Sequence, residues 1–523
     1  MFDAATRALT ALVLCGMACC RAAEPAAPPA TVVVALESAP SVLDPRFTTD
    51  ANSSLVAALV TDGLTTNDAK GEPVPALAEW RNPAPLEYHF TLRAGARFAD
   101  GTPVTSSDVA ATYRSVLDSA LASPKRESLA AIAAIETPDD RTIVFRLRAV
   151  TASFLETTNL GILPARLAGS GPVAPAEVVG SGPFQVAATL DNGGVDLVPH
   201  PHALAGAPRI PRLRFRVVPD GVVRALELAS GSVHLVQNAL EPDLLPWLAA
   251  RPELEVVISP GTTFQYLGLN FRDPRLADRR VRQALAHGID RGALVHHVLR
   301  DTARAATGLL PPSHWAHEGG VTDYPYDPER ATALLRAAGL GPGAAAELRR
   351  FSYKTSTVEL RRRIAEVFQH DLARIGLGLD IRSYEWATFY NDIKRGNFEL
   401  YALAWVGVRD PDVYYRIFHS TMQPPAGMNR GAYANPELDA LLARARATED
   451  RGERRRLYGE VQRLAADDLP VVPLWWAENV VVKHRGLFGF VPSPDGDLRS
   501  LASATFADPS SWAPPDTRES GYR

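Results

Sequence analysis

All three cysteines of this chain, Cys15, Cys19 and Cys20, lie within its first twenty residues, and the sequence after them has none. Whatever folds downstream therefore has no disulfide, no thiol nucleophile and no cysteine-ligated metal. It must be held by a buried apolar core, and 523 residues are enough to build one. Such a length suits roughly three domain-sized units or one large composite fold.

The cysteines fall in and just after an apolar stretch, Ala8 to Ala18, with Arg7 ahead of it. A basic residue followed by a short apolar run is the pattern of a secretory signal peptide, and the run falls short of the ~20 residues a membrane-spanning helix needs. No later stretch is long and apolar enough to span. Leu14-Cys15-Gly16-Met17-Ala18-Cys19 resembles a bacterial lipoprotein cleavage site, which implies a leader over 1–19 and lipidation of Cys19. An ordinary signal peptide cut near Ala22 or Ala23 is the alternative. The Ala/Pro-rich residues 20–30 then read as a tether.

Bulk charge excludes other classes. With 55 Lys+Arg against 59 Asp+Glu the net charge is −4, so there is no basic footprint for nucleic acid. A search for catalytic patterns finds no G-x-S-x-G elbow, no H-E-x-x-H, no Walker loop and no G-x-G-x-x-G. His296 and His297 are adjacent, and neighbours on a helix point about 100° apart, so they do not chelate together. Nothing asks for an enzyme, a metal or a cofactor.

Periodicity points to a mixed α/β architecture. Thr31 to Leu36, Glu87 to Leu92 and Thr142 to Leu147 read as strands, the last two alternating polar and apolar residues. Thr105-Ser106-Ser107-Asp108 starts a helix with a capping-box pattern. Asp327-Pro328, with Gly339 as stop, and Asn435-Pro436 frame two more helices. A third stripe, Ile364, Val367, Phe368, Leu372 and Ile375, ends at Gly376, and Val281, Leu285 and Ile289 form a core stripe on a helix containing Arg282. Two α/β lobes with an early insertion are expected, and a cleft between lobes is the default ligand site.

Several strings occur in one order along nearly the whole chain. They are Leu43-Asp44-Pro45, Asp62-Gly63-Leu64, PALAEW at 75–80, YHFTLRAGARFADGTPVT at 88–105, GSGPF at 180–184 and VRQALAHGIDR at 281–291. Tyr326-Asp327-Pro328, Asp410-Pro411-Asp412 and NPELD at 435–439 complete the set. Together they resemble the family-5 extracellular solute-binding proteins, receptors of peptide-type ABC importers. The resemblance implies a class II type periplasmic-binding-protein fold with an extra inserted subdomain. One lobe would comprise 31–57, 178–262 and 485–523, the insert 58–177, and the other lobe 263–484. It further implies a monomer that closes on a small solute and docks on an ABC permease in the inner membrane.

The same resemblance names ligand contacts. Peptide-binding relatives hold ligand backbone between short strands, a form of β-augmentation. The matching strand is Tyr401 to Val406, with Ala404 and Val406 pairing with the ligand and Trp405 lining the cleft or filling core. A facing strand would run around Thr49 and Ala51. Tyr353, near the end of a strand that enters the helix carrying Ile364, is a further cleft candidate by its position. The aspartate that binds an amino terminus would fall at Val408, in the loop Gly407-Val408-Arg409-Asp410. Either Asp410 has moved in to serve, or it is a helix cap and the ligand has no amine there. Arg409 either faces an anionic ligand or is solvated. The ligand is then a peptide or similar solute, or alternatively a metal chelate, haem, opine or sugar. A periplasmic receptor or chaperone without transport would use the same fold.

Overall fold

The computed structural model describes residues 31–68, 71–169 and 171–507. The expected leader, Cys19 and the tether lie outside them. Two strands organise the rest. Leu254–Leu269 and Val471–His484 run antiparallel at the centre of an eleven-stranded sheet. On one side the sheet continues through Leu235–Gln237, Thr31–Leu36, Arg212–Val217, Val195–Pro199 and Phe184–Thr189. On the other follow Leu400–Trp405, Arg350–Ser356 and Gly378–Tyr384, while the short strand Ala303–Ala305 pairs with Val471–His484 off this path.

The central pair therefore belongs to both lobes, and its ladder breaks where they meet. Leu254 to Ser259 pair with Asn479 to His484, and regular pairing resumes at Thr263 opposite Ala477. Pro260, in the gap, has no N–H to give a ladder. Gly261 runs so close to its neighbour strand that a Cβ there would come within 2.3 Å of the Ala477 carbonyl oxygen, which excludes every other residue.

Asn479 replaces the missing ladder. Its side-chain N–H groups donate to the carbonyls of Ser493 and Pro494 at 2.8 and 2.9 Å, and its Oδ1 accepts from Asn238 at 2.9 Å. The Thr262 N–H donates to Pro494 as well, at 3.0 Å. The crossing is thus a polar knot of side chain and loop rather than continuous sheet.

Each lobe has its own buried clusters. Val32, Val34, Leu213, Phe215 and Val481 centre one. Leu285, Ile289, Phe368 and Leu400 lie in another, across the break. The inserted unit is a four-stranded antiparallel sheet of Ala78–Ala84, Glu87–Leu92, Thr142–Leu147 and Ile132–Asp139. Helix Ser106–Leu117 packs with it, its first turn closed by the capping box of Thr105 and Asp108. The core of this unit is aromatic, with Tyr113, Phe90 and Phe154 arranged around Phe145 at 5.0, 5.6 and 5.5 Å between ring centres. Edge-to-face contacts of that kind add to what area burial alone supplies.

Two local expectations differ from the structure. The helix read through Ile289 ends at Gly288, because the Asp290 side chain accepts from the Ala293 N–H and caps a new helix, Arg291–His297. The segment around Thr49 and Ala51 is no strand. Asp50 accepts from the Ser53 N–H and starts helix Ala51–Val60, so Ala51 is its first residue and offers no ladder edge.

Asn479→Ala should remove a donor from each loop carbonyl, leave the Asn238 amide without its acceptor and lower stability on the order of 1–3 kcal/mol. A thermal melt no lower than that of the parent protein would show the knot to be dispensable.

Candidate functional site

A cavity of about 490 Å³ lies between the insert and the lobe that carries Leu400–Trp405. That size is ordinary for a small-molecule site, for which ~300–1,000 Å³ is typical. The insert contributes Glu72, Trp80, Tyr88 and Glu156, and the opposite wall contributes Trp315, Arg409, Asp410, Glu449, Arg451 and Arg454.

The two walls touch around its rim. Arg451 pairs with Glu72, Asn82 donates to Glu449 at 3.1 Å, and Ser153 donates to Asp412 at 3.0 Å. The Ala152 N–H donates to the Arg446 carbonyl at 3.2 Å. These bonds join parts of the chain on opposite sides of the strand crossing, so the two walls meet at the rim of the cavity.

Asp410 lines this cavity but is occupied. Arg454 grips it through two hydrogen bonds of 2.6 and 2.9 Å, with side chains only 16% and 7% exposed. Its Oδ1 also accepts from the Asp412 N–H at 2.7 Å, the turn-capping role ahead of helix Val413–Phe418. Arg409 lines the cavity too, and pairs with Asp495 at 2.6 Å. Burial would raise the Asp495 carboxyl, but Arg409 and Ser493 outweigh it and hold it below the usual range. Val408 is buried at 4% exposure, and its N–H reaches the Thr262 carbonyl at the crossing. The loop Gly407 to Asp410 is therefore bolted to the hinge at one end and to Arg454 at the other.

The remaining sequence candidates lie elsewhere. Trp405 stacks on Tyr266 at 5.9 Å, with the Arg430 guanidinium over its face at 4.7 Å, and joins a neighbouring core cluster. Tyr353 is 1% exposed and edge-on to Phe368 at 6.0 Å, so it is a core residue and not a cleft contact. Its alternating strand position points inward, where burial pushes its phenol well up. Thr49 and Ala51 are exposed and line no part of this cavity. Ala404 pairs with Gln265 of the central strand, while the ladder to Arg350–Ser356 ends at Tyr401, so the edge beyond it has no strand neighbour among the described residues. Gly407 turns there with φ +66°, and Val406 is 67% exposed.

Sequence reading missed Glu156, Trp315, Arg451 and Arg454. Trp80 and Tyr88 belong to the strings that carry the resemblance, and both line the cavity. Burial pushes the Glu156 carboxyl up to about 7, the Asp410 charge adding to the effect while Arg409 and Arg454 oppose it. Among the described residues, no group of three or more His, Cys, Asp or Glu is placed to hold a metal ion, and no helix is long and apolar enough to cross a membrane.

Two lobes joined at a strand crossing, with a cavity between opposed walls, define a binding protein of the periplasmic type. Residues 72–424 match the Bacterial extracellular solute-binding proteins, family 5 Middle, and the chain belongs to this family. It is 28% identical over 520 residues to a probable di/tripeptide-binding protein 5 of Pseudomonas aeruginosa, covering 91% of this chain and 95% of that one. Heme-binding protein A of Haemophilus influenzae is 26% identical, over 81% of this chain and 82% of its own. The oligopeptide-binding protein AppA of Bacillus subtilis, solved with a nonapeptide, superposes with a TM-score of 0.80 at 23% identity, covering 91% of this chain and 99% of that one.

Asp410→Ala would leave the Arg454 guanidinium buried and uncompensated, at a cost of ~3–5 kcal/mol. The double variant Asp410→Ala/Arg454→Met should recover much of that loss in denaturant unfolding. Equal stability of the single variant and the parent would show that the pair does not hold this wall.

Proposed function

We propose that this protein captures a peptide or similar small solute outside the cytoplasm and delivers it to the permease of an ABC importer. The observation that carries the reading is the cavity between walls that the chain brings together from opposite sides of one strand crossing. A solute held by both walls favours the closed form by its differential affinity for it, which is the signal a permease reads. The cavity binds without catalysing, the leader exports the chain, and Cys19 anchors it to the membrane by a lipid. The moving bodies are 31–57, 178–262 and 485–523 as one lobe, with 58–177 inserted, against 263–484.

A second reading rests on the loop that carries Val408. Val408 is buried and Asp410 is held by Arg454, so this loop presents no uncommitted carboxylate for a peptide amino terminus. Removing one partner of a buried charge pair costs ~2–5 kcal/mol, so an ammonium would not settle there. That favours a solute without an amine at this point, such as a metal chelate, haem, opine or sugar.

A thermal-shift screen of the purified protein against short peptides, nickel–histidine, haem and sugars discriminates the two. A true ligand at a hundred times its dissociation constant should stabilise by about 2.7 kcal/mol. Peptide hits alone support the first reading, and amine-free hits alone support the second.

A further inference from the structure

The arginines facing the cavity are engaged with carboxylates. Arg409 pairs with Asp495, Arg451 with Glu72 and Arg454 with Asp410. Glu449, on the exposed rim, accepts from Asn82. Among the described residues that line the cavity, Glu156 is the carboxylate whose side chain has neither an ion pair nor a hydrogen bond. Its base is rigid. It sits in the short turn Phe154–Asn159, where Phe154 is 1% exposed in the aromatic core of the insert and the Glu156 N–H donates to the Ser153 carbonyl at 3.0 Å. The cavity wall thus carries one half-buried carboxylate with no direct partner, on which Arg409 and Arg454 act only at a distance.

We propose that Glu156 selects the solute, receiving a single cationic group, such as an ammonium, on the insert's wall and not at the loop Gly407 to Asp410. The inference rests on the cavity being the solute site. An ionised carboxylate withdrawn from water without a partner is unfavourable, and a ligand cation removes that penalty only when the cavity has closed around it. Solute charge and closure are coupled through this one side chain. The groups facing it are Asp410, Arg409, Arg454 and Glu72, three of them already paired across the cavity wall or rim and the fourth with Asp495.

Because burial raises the Glu156 carboxyl to about 7, the unliganded group is mostly neutral below that pH. A cation binds the ionised form and holds it ionised, so binding releases a proton. Affinity should weaken as pH falls below that value, approaching tenfold per unit for ~1 proton released, until the complex itself takes up a proton.

The test is calorimetric titration of the protein and of E156Q with trialanine, N-acetyltrialanine and trialanine amide at several pH values. Expected is binding of the two free-amine peptides, rejection of the acetylated one, and a loss of at least about thirtyfold in E156Q together with its pH dependence. N-acetyltrialanine binding as well as trialanine, or E156Q keeping its affinity, would overturn the inference while leaving solute capture intact. So would binding confined to amine-free solutes and unchanged in E156Q. Failure of every solute, cationic or not, at millimolar concentration sinks the proposed function itself. Folding is checked separately: E156Q should melt no lower than the parent at roughly pH 8, where it removes an unpaired buried charge, and the gap should close near pH 4. A lower melt at the higher pH would mean that Glu156 is structural, which also overturns the assignment.

Discussion

The ladder between Leu254–Leu269 and Val471–His484 is the constraint on which everything else hangs. Because one pair of strands serves both lobes, the lobes cannot drift apart or slide in register. The ladder is interrupted at Pro260 and Gly261, where the Asn479 knot takes its place, and shifts register again between Gln265 and Tyr266. The cavity lies to one side of that crossing, between the insert and the opposite wall.

Charge arrangement then decides what the cavity can hold. Arginine–carboxylate pairs line it, some within one wall and some across the rim. Pairs such as Arg454–Asp410 keep a polar surface rigid without leaving it attractive to a charged solute, since each side chain already has its partner. Specificity then falls to whatever is left unpaired, and the aromatic rings of Trp80, Tyr88 and Trp315 supply the neutral contact area.

Much of the fold was legible from local chemistry. The strands Thr31–Leu36, Glu87–Leu92 and Thr142–Leu147 follow hydrophobic patterning, and helices Pro328–Ala337 and Pro436–Arg446 begin where Asp327 and Asn435 cap them. The site was less legible. Arg409 and Asp410 do face the cavity, but their partners Asp495 and Arg454 lie far along the chain and no spacing rule joins them. Glu156 sits in a short turn with no motif, and its chemistry comes from burial against the opposite wall. Tyr353 read as a cleft residue because strand ends often face clefts, whereas the helix carrying Phe368 covers it. Val281, Leu285 and Ile289 kept their inward face although the helix stops beneath them, since the core asks for apolar side chains and not for an unbroken helix.

The strand topology also sets the order of assembly. Thr31–Leu36 pairs with Arg212–Val217 on one edge and touches Leu235 on the other, and Leu235–Gln237 in turn waits for Val481 to Lys483. A ribosome must therefore make almost the whole chain before Leu235–Gln237, the neighbour of the first strand, has both flanks covered. The insert can condense early around its own aromatic core, but the lobe that holds it stays open until the end of the sequence arrives. Contacts so distant along the chain fold slowly. Until the last long strand is laid down the middle, the large sheet has no central ladder to join its two sides.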